Sequence, residues 1–412
     1  MARNIQVICW LILLPHVLTA KQWQVGRNYS FHTINAALLQ AATGDTLLVY
    51  PGEYFEKGLV LTKKIALVGI GLPVMDGEKK FDILTIKANG VLVEGFVFRN
   101  SGVSGWNDLA AVKLYSVRNV IVRNNRLIQN FFGIYCQNAV TCIISGNHLS
   151  SNAVNEVESG NGIHCWKCDS MQILNNVVSG HRDGIYFEFV THSQIEHNSS
   201  ESNIRYGLHF MFSHFDTYTS NLFKHNGAGV SVMFSHGIRM HQNIFTESNG
   251  GAAFGILMKE ISDSYVSGNR FLSNTCGIYM EGTTRVDISN NIFTSNGWAI
   301  KIQASCSATH VSHNNFFGNT FDVSTNGTLV LNTFNGNYWD KYDGYDLNRD
   351  GKGDLPYHPV SMYSMISEKN PTAMILYRSL LVGLFEKAER VLPALTPENL
   401  VDETPQMKPF KL

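Results

Sequence analysis

Asn221-Leu222-Phe223-Lys224-His225-Asn226-Gly227-Ala228-Gly229-Val230-Ser231-Val232-Met233 is the stretch that decides the fold. An Asn opens it, an apolar side chain follows two places on, a second Asn follows five places on, and a Gly then introduces a short alternating strand. The opening Asn recurs along the chain at 125, 147, 176, 198, 221, 243, 269, 291 and 315, in steps of 22, 29, 22, 23, 22, 26, 22 and 24. The second Asn recurs at 130, 152, 203, 226, 274 and 296. Apolar triplets such as Ile143-Ile144-Ser145 precede the first Asn, and no helical period lies between. Short strands at a fixed period, punctuated by Asn and Gly, predict an all-β, right-handed parallel β-helix with coils of about 22 residues. Each coil would hydrogen-bond to its neighbours at about 4.8 Å, with alternate side chains stacked inside.

Composition agrees. Asn (38 residues) and Gly (35) replace charge, which falls to 16% of the chain. Both residue types tolerate the left-handed turns that such a stack needs at every corner. The balance of 32 basic against 33 acidic residues excludes a nucleic-acid binder that works by bulk positive charge. At 44% apolar the chain is neither disordered nor a multi-span membrane protein.

Three segments are expected. Residues 1–20 read as a secretory signal: Arg3, an apolar core from Ile5 to Leu14, and a small residue at Ala20. Residues 21–360 carry the β-helix, with an amphipathic pattern in 28–43 to cap the first coil and the array proper running from about Asp45 to Trp339. Residues 361–412 change character. Asn370-Pro371 starts a helix whose apolar positions include Ile375, Leu376, Leu380, Leu381, Leu384 and Phe385, followed by an extended arm. So apolar a helix on a closed stack is either a docking device or a cap over the last coil.

Aligning the strands after each Gly gives an inward column, Cys136, Cys165, Phe187, Phe210, Val232, Met258, Met280 and Ile302. The outward neighbours include His164, His209, Met211 and Met233, with Met233 one coil beyond Met211. Imidazole and thioether together suit Cu(I); apolar contact under a loop or a partner is the competing reading. Asp346, Asn348, Asp350 and Asp354 occupy positions 1, 3, 5 and 9 of a calcium-loop pattern with Gly351 at 6, but Tyr357 stands where the bidentate Glu belongs. A structural calcium at the end of the stack competes with a plain Asx-rich turn. Cys165 and Cys168 have CxxC spacing, and a buried thiol pair or a stacked disulfide is the simpler reading. A polysaccharide lyase or hydrolase is the alternative function, since β-helices host such enzymes. Only His181-Arg182-Asp183 suggests it, and Glu188 and Glu281 are four coils apart.

Gly180-His181-Arg182-Asp183-Gly184-Ile185-Tyr186-Phe187-Glu188 and Arg205-Tyr206-Gly207-Leu208-His209-Phe210-Met211-Phe212-Ser213 resemble the NosD family. So do Val232-Met233-Phe234-Ser235, Lys259-Glu260-Ile261-Ser262-Asp263-Ser264, Gly277-Ile278-Tyr279-Met280-Glu281-Gly282, Lys301-Ile302-Gln303-Ala304-Ser305-Cys306, Asn337-Tyr338-Trp339-Asp340 and Asn370-Pro371-Thr372-Ala373-Met374. The resemblance runs over nearly the whole mature chain; Cys165 and Cys168 fall outside these strings. It implies a periplasmic, non-catalytic maturation protein for the copper enzyme nitrous oxide reductase. It also implies partnership with an ABC transporter ATPase and permease, a copper-carrying lipoprotein and apo nitrous oxide reductase. The C-terminal helix would then hold the stack to the permease, and so to the membrane.

Overall fold

The structure is a computed structural model. It describes residues 20–104, 107–152, 154–157, 159–327, 331–377, 379–391 and 400–412, so the expected signal segment lies outside the described residues except for Ala20. Among the described residues the strands form three all-parallel sheets of 14, 12 and 13 strands, each strand paired with its counterpart one coil away. The order of coils in every sheet follows the chain, as a β-helix demands. The stack starts one coil earlier than the spacing suggests: Gln22–Val25 pairs with Thr46–Val49. Helix α1 (Ile34–Gln40) caps that end. Thr33 accepts from the amide of Ala36, and Ile34 and Ala37 are buried against the first coil.

Interior ladders hold the coils in register. In the first, each Asn donates its backbone N–H and its side-chain Nδ2 to Oδ1 of the Asn one coil on, as from Asn221 to Asn243 at 3.0 Å for both bonds. The same Nδ2 also reaches a backbone carbonyl of the preceding coil, Ile195 in this case. Nearly every rung therefore satisfies buried polar groups that would otherwise cost about 1–3 kcal/mol each. The residue before each rung sits in the left-handed region, for example Asn175, Ser220 and Asn290 at φ 54–57°. That conformation costs a non-Gly residue about 1–2 kcal/mol, which the ladder offsets. The second ladder is a stack of phenylalanines, Phe223, Phe245, Phe271, Phe293 and Phe316, closed by Trp339.

One rung differs from the sequence reading. Asn314, not Asn315, continues the ladder from Asn291 to Asn337. Asn315 lies one residue on, in a strand, and exchanges two hydrogen bonds with the backbone of Phe410. Asn152 is likewise exposed rather than laddered.

The C-terminal segment packs on the last coils. Helix α2 (Met362–Lys369), capped by Ser361, precedes Asn370 and was not anticipated. Pro371 cannot continue it, having no N–H. The chain turns through a 3-10 helix (Pro371–Leu376) into helix α3 (Leu380–Val391). Val382 anchors α3 against Phe321 and Tyr363. The arm runs extended, back across the end of the stack, with Phe334 bridged to Asp402 and Tyr338 to Gln406. Asp402, fully buried, ends the Asn ladder. Its Oδ2 accepts from the N–H and Nδ2 of Asn337 and from Nε1 of Trp339, while its Oδ1 accepts from Gly336.

Candidate metal and partner face

The outer face of the 12-stranded sheet carries the predicted columns in the predicted register. Tyr135, His164, Tyr186, His209 and Ser231 are successive partners in one column. Trp166, Glu188, Met211, Met233 and Lys259 follow in the next. The inward column from Cys136 to Ile302 is fully buried. Met211 and Met233 are direct partners on neighbouring rungs, both half-buried, so two thioethers stand about 4.8 Å apart at the backbone.

The two histidines are placed differently from the methionines. His209 faces outward but is only 6% exposed. Tyr186 and Tyr206 close over its ring at 4.9 and 4.8 Å, and its Nδ1 lies 3.9 Å from the Asp183 carboxylate. Both ring nitrogens lack a hydrogen-bond partner. His164 sits two rungs from His209, about 10 Å away, enclosed by Phe132, Tyr135 and Tyr186. Burial, helped by the charge of Arg182, lowers its pKa to about 3, so it is a neutral ring. His164 therefore does not join His209, Met211 and Met233 in one cluster.

Beside His209, the Arg205 guanidinium grips Asp183 with Nε at 3.0 Å and Nη2 at 2.5 Å. Burial alone would raise the Asp183 carboxyl. His209 and Arg205 more than offset it and hold the group below the usual carboxylate range. His181 turns away from this face. It takes a position in a second file of buried Asn, that of Asn203 and Asn226, its amide donating to Oδ1 of Asn203, and burial lowers its ring to about 4. His181 and Asp183 are thus both buried, but on opposite sides of the strand, so the string does not converge on one site.

A further feature escaped the sequence reading although its signal was plain. Met211-Phe212-Ser213-His214 and Met233-Phe234-Ser235-His236 are identical tetrapeptides 22 residues apart. They turn the corner out of the 12-stranded sheet in adjacent coils. Ser213 and Ser235 point inward and are buried, Phe212 and Phe234 stack at 5.0 Å and stand exposed, and His214 and His236 stack at 3.9 Å. His214 Nδ1 accepts from the amide of His236 at 3.2 Å. Phe189 extends the outer row by one more coil.

Neither of the other candidate sites gathers a cage. Among the described residues no three His, Cys, Asp or Glu side chains converge on a metal position; thioethers are outside that set. The oxygens of Asp346, Asn348, Asp350 and Asp354 accept the loop's own amides, from Gly351, Asp350, Lys352 and Leu347 among others. Those are the bonds of an Asx-rich turn. The six described cysteines are free and buried. Burial pushes Cys165 well above the usual thiol range and Cys142 and Cys276 up to about 12, which leaves them unreactive.

On helix α3, Leu380, Leu381 and Leu384 are exposed, as are Ile375 and Leu376 of the preceding turn, while Phe385 is half-buried. Among the described residues no helix is long and apolar enough to cross a membrane.

Residues 150–344, which include every outward residue named above from His164 to Lys301, match the family described as NosD, periplasmic copper-binding protein. A protein named probable ABC transporter binding protein NosD from Stutzerimonas stutzeri is 27% identical over 360 residues, covering 81% of this chain and 80% of its own. A protein of the same name from Pseudomonas aeruginosa is 27% identical over 353 residues, covering 81% and 82%. Among solved structures, the catalytic domain of a GH87 alpha-1,3-glucanase superposes with a TM-score of 0.53 at 11% identity, over 78% of this chain and 69% of that one. That likeness is one of fold alone.

Proposed function

The chain belongs to the NosD family, and from that premise we propose that it is a periplasmic copper-handling adaptor of an ABC transporter complex that assists assembly of the copper centres of nitrous oxide reductase. The observation that carries the proposal is the in-register pair Met211 and Met233, repeated with its flanking Phe, Ser and His in two successive coils. Thioethers are soft and never need deprotonation, so they hold Cu(I) over a wide pH range. Two of them on one flank make a site for cargo in transit. The exposed phenylalanines beside the pair form an apolar rim where a copper-carrying lipoprotein or apo nitrous oxide reductase would press. The apolar face of α3 is the proposed contact with the permease, whose ATPase subunit drives the complex.

Titration with Cu(I) under reducing conditions, against a colorimetric chelator, tests the reading. One Cu(I) per chain binds, and Met211→Leu with Met233→Leu, close in volume and apolar, removes it. Unchanged binding in that folded double variant defeats the proposal. No observation favours the glycoside-cleaving alternative, because Asp183 is locked by Arg205 and His181 faces the core.

A further inference from the structure

The methionines of the stack fall into two groups. Met75, Met171, Met240, Met258 and Met280 lie inside it, fully buried. Met211 and Met233 stand on its outer flank, each the last residue of its strand and partly open to water. They are direct partners across one rung and open twin Met-Phe-Ser-His strings, so the two thioethers have closely similar surroundings.

Thioether sulfur is a nucleophile towards peroxides. A lone pair on Sδ attacks one peroxide oxygen, and an S–O bond forms as the O–O bond breaks. The departing hydroxide takes the proton of the transferred oxygen and leaves as water. The sulfur gives up two electrons and the peroxide takes them. The product is methionine sulfoxide, a polar group that methionine sulfoxide reductases return to the thioether. Position decides the consequence. Inside the stack a sulfoxide oxygen would sit among apolar side chains without a donor. On the flank water pairs it, so Met211 and Met233 take up oxygen without loss of the fold. What the flank loses is its soft donor, since a sulfoxide is a poor ligand for Cu(I).

We propose that Met211 and Met233 form a paired, reversible oxidation site at which a peroxide switches off the flank's hold on Cu(I). The switch rests on the copper reading above. Cu(I) and peroxide together generate hydroxyl radicals, so the flank stops holding the metal under the conditions in which it does damage.

Dilute hydrogen peroxide on the metal-free full chain, followed by peptide mass mapping, tests this. Met211 and Met233 each gain an oxygen at similar rates, at least about tenfold faster than the buried methionines, which must wait for local opening. Met362, Met365, Met374 and Met407, partly open in the C-terminal segment, gain oxygen as well and gauge exposure alone. Thermal unfolding followed by circular dichroism is unchanged. Once the peroxide is removed, Cu(I) affinity is at least about tenfold weaker, and a methionine sulfoxide reductase with a thiol restores it. The proposal is overturned if the flank pair oxidises no faster than the buried methionines or if oxidation unfolds the chain. It is also overturned if the oxidised chain holds Cu(I) as tightly as before while the Met211→Leu, Met233→Leu chain does not. Binding retained in both the oxidised chain and the leucine variant defeats the copper reading itself, and the switch with it.

Discussion

Replacing Asp402 by Ala removes the acceptor that ends the Asn ladder. Four donors from the last coils point at that carboxylate, Gly336 N at 2.8 Å, Asn337 N at 2.9 Å, and Asn337 Nδ2 and Trp339 Nε1 at 3.0 Å, and Thr404 N of the arm itself adds a fifth at 3.2 Å. Asn337 and Trp339 are almost completely buried. At about 1–3 kcal/mol per orphaned donor, four would cost at least about 4 kcal/mol. Water entering beneath the loosened arm would keep the cost near that lower bound. The cost is local, because each coil of a solenoid is held chiefly by its neighbours. The assay is amide hydrogen exchange at Asn337 and Trp339 against the mid-stack amides of Asn221 and Asn243. A loss of about 4 kcal/mol accelerates exchange at the first two by about a thousandfold and leaves the others unchanged. Asp402→Asn keeps one carbonyl oxygen for the ladder but turns an amide N–H toward Gly336, so its effect is about 1–2 kcal/mol. Protection in Asp402→Ala equal to that of the unaltered chain would refute the reasoning, since the arm would then be a passenger rather than a cap.

Arg205→Met strands the fully buried Asp183 carboxylate and destabilises by about 3 kcal/mol at neutral pH. Because the folded-state pKa of Asp183 is depressed, its stabilisation is present above the ordinary carboxylate range and lost as pH falls through the folded value; acid unfolding followed by circular dichroism moves to higher pH in the variant. Asp216 is the opposite case: burial raises its carboxyl well above the ordinary value, so stability is lost as pH rises from that value to the folded one. Asp216→Asn therefore stabilises at pH 7 and changes little near pH 3 in denaturant titrations. Leu380→Asp with Leu384→Asp alters two exposed side chains, so thermal stability shifts by no more than about 0.5 kcal/mol. Co-purification of the permease from membrane extracts is lost; its retention argues against α3 as the anchor.

How far the sequence could be read follows from what is periodic. The coil, the register and the pairing of Met211 with Met233 all repeat every 22 or so residues, and position in a strand decides inward from outward. Depth on the outer face does not repeat. His209 is buried because Tyr206 and Tyr186 fold over it, and nothing in its own alternation announces that. The adjacent pair Asn314 and Asn315 offers two equally good spacings, and only the tail contact of Asn315 separates them. Asp402 lies 65 residues from the amide it completes and belongs to no repeat. The twin Met-Phe-Ser-His strings were open to inspection, but an outward corner carries no hydrophobic alternation to draw attention to them. Asn370-Pro371 does start a helix, the 3-10 turn Pro371–Leu376, but the same pair also ends α2, and a start signal says nothing of a helix on its far side.

X-ray absorption at the copper edge of the Cu(I)-loaded chain bears most directly on the idea that two thioethers on neighbouring coils carry the metal. The spectrum of the unaltered protein contains a sulfur shell of two neighbours, and that shell vanishes in the Met211→Leu, Met233→Leu chain. A first shell of nitrogen and oxygen alone, or a sulfur shell that persists without the two methionines, would contradict it.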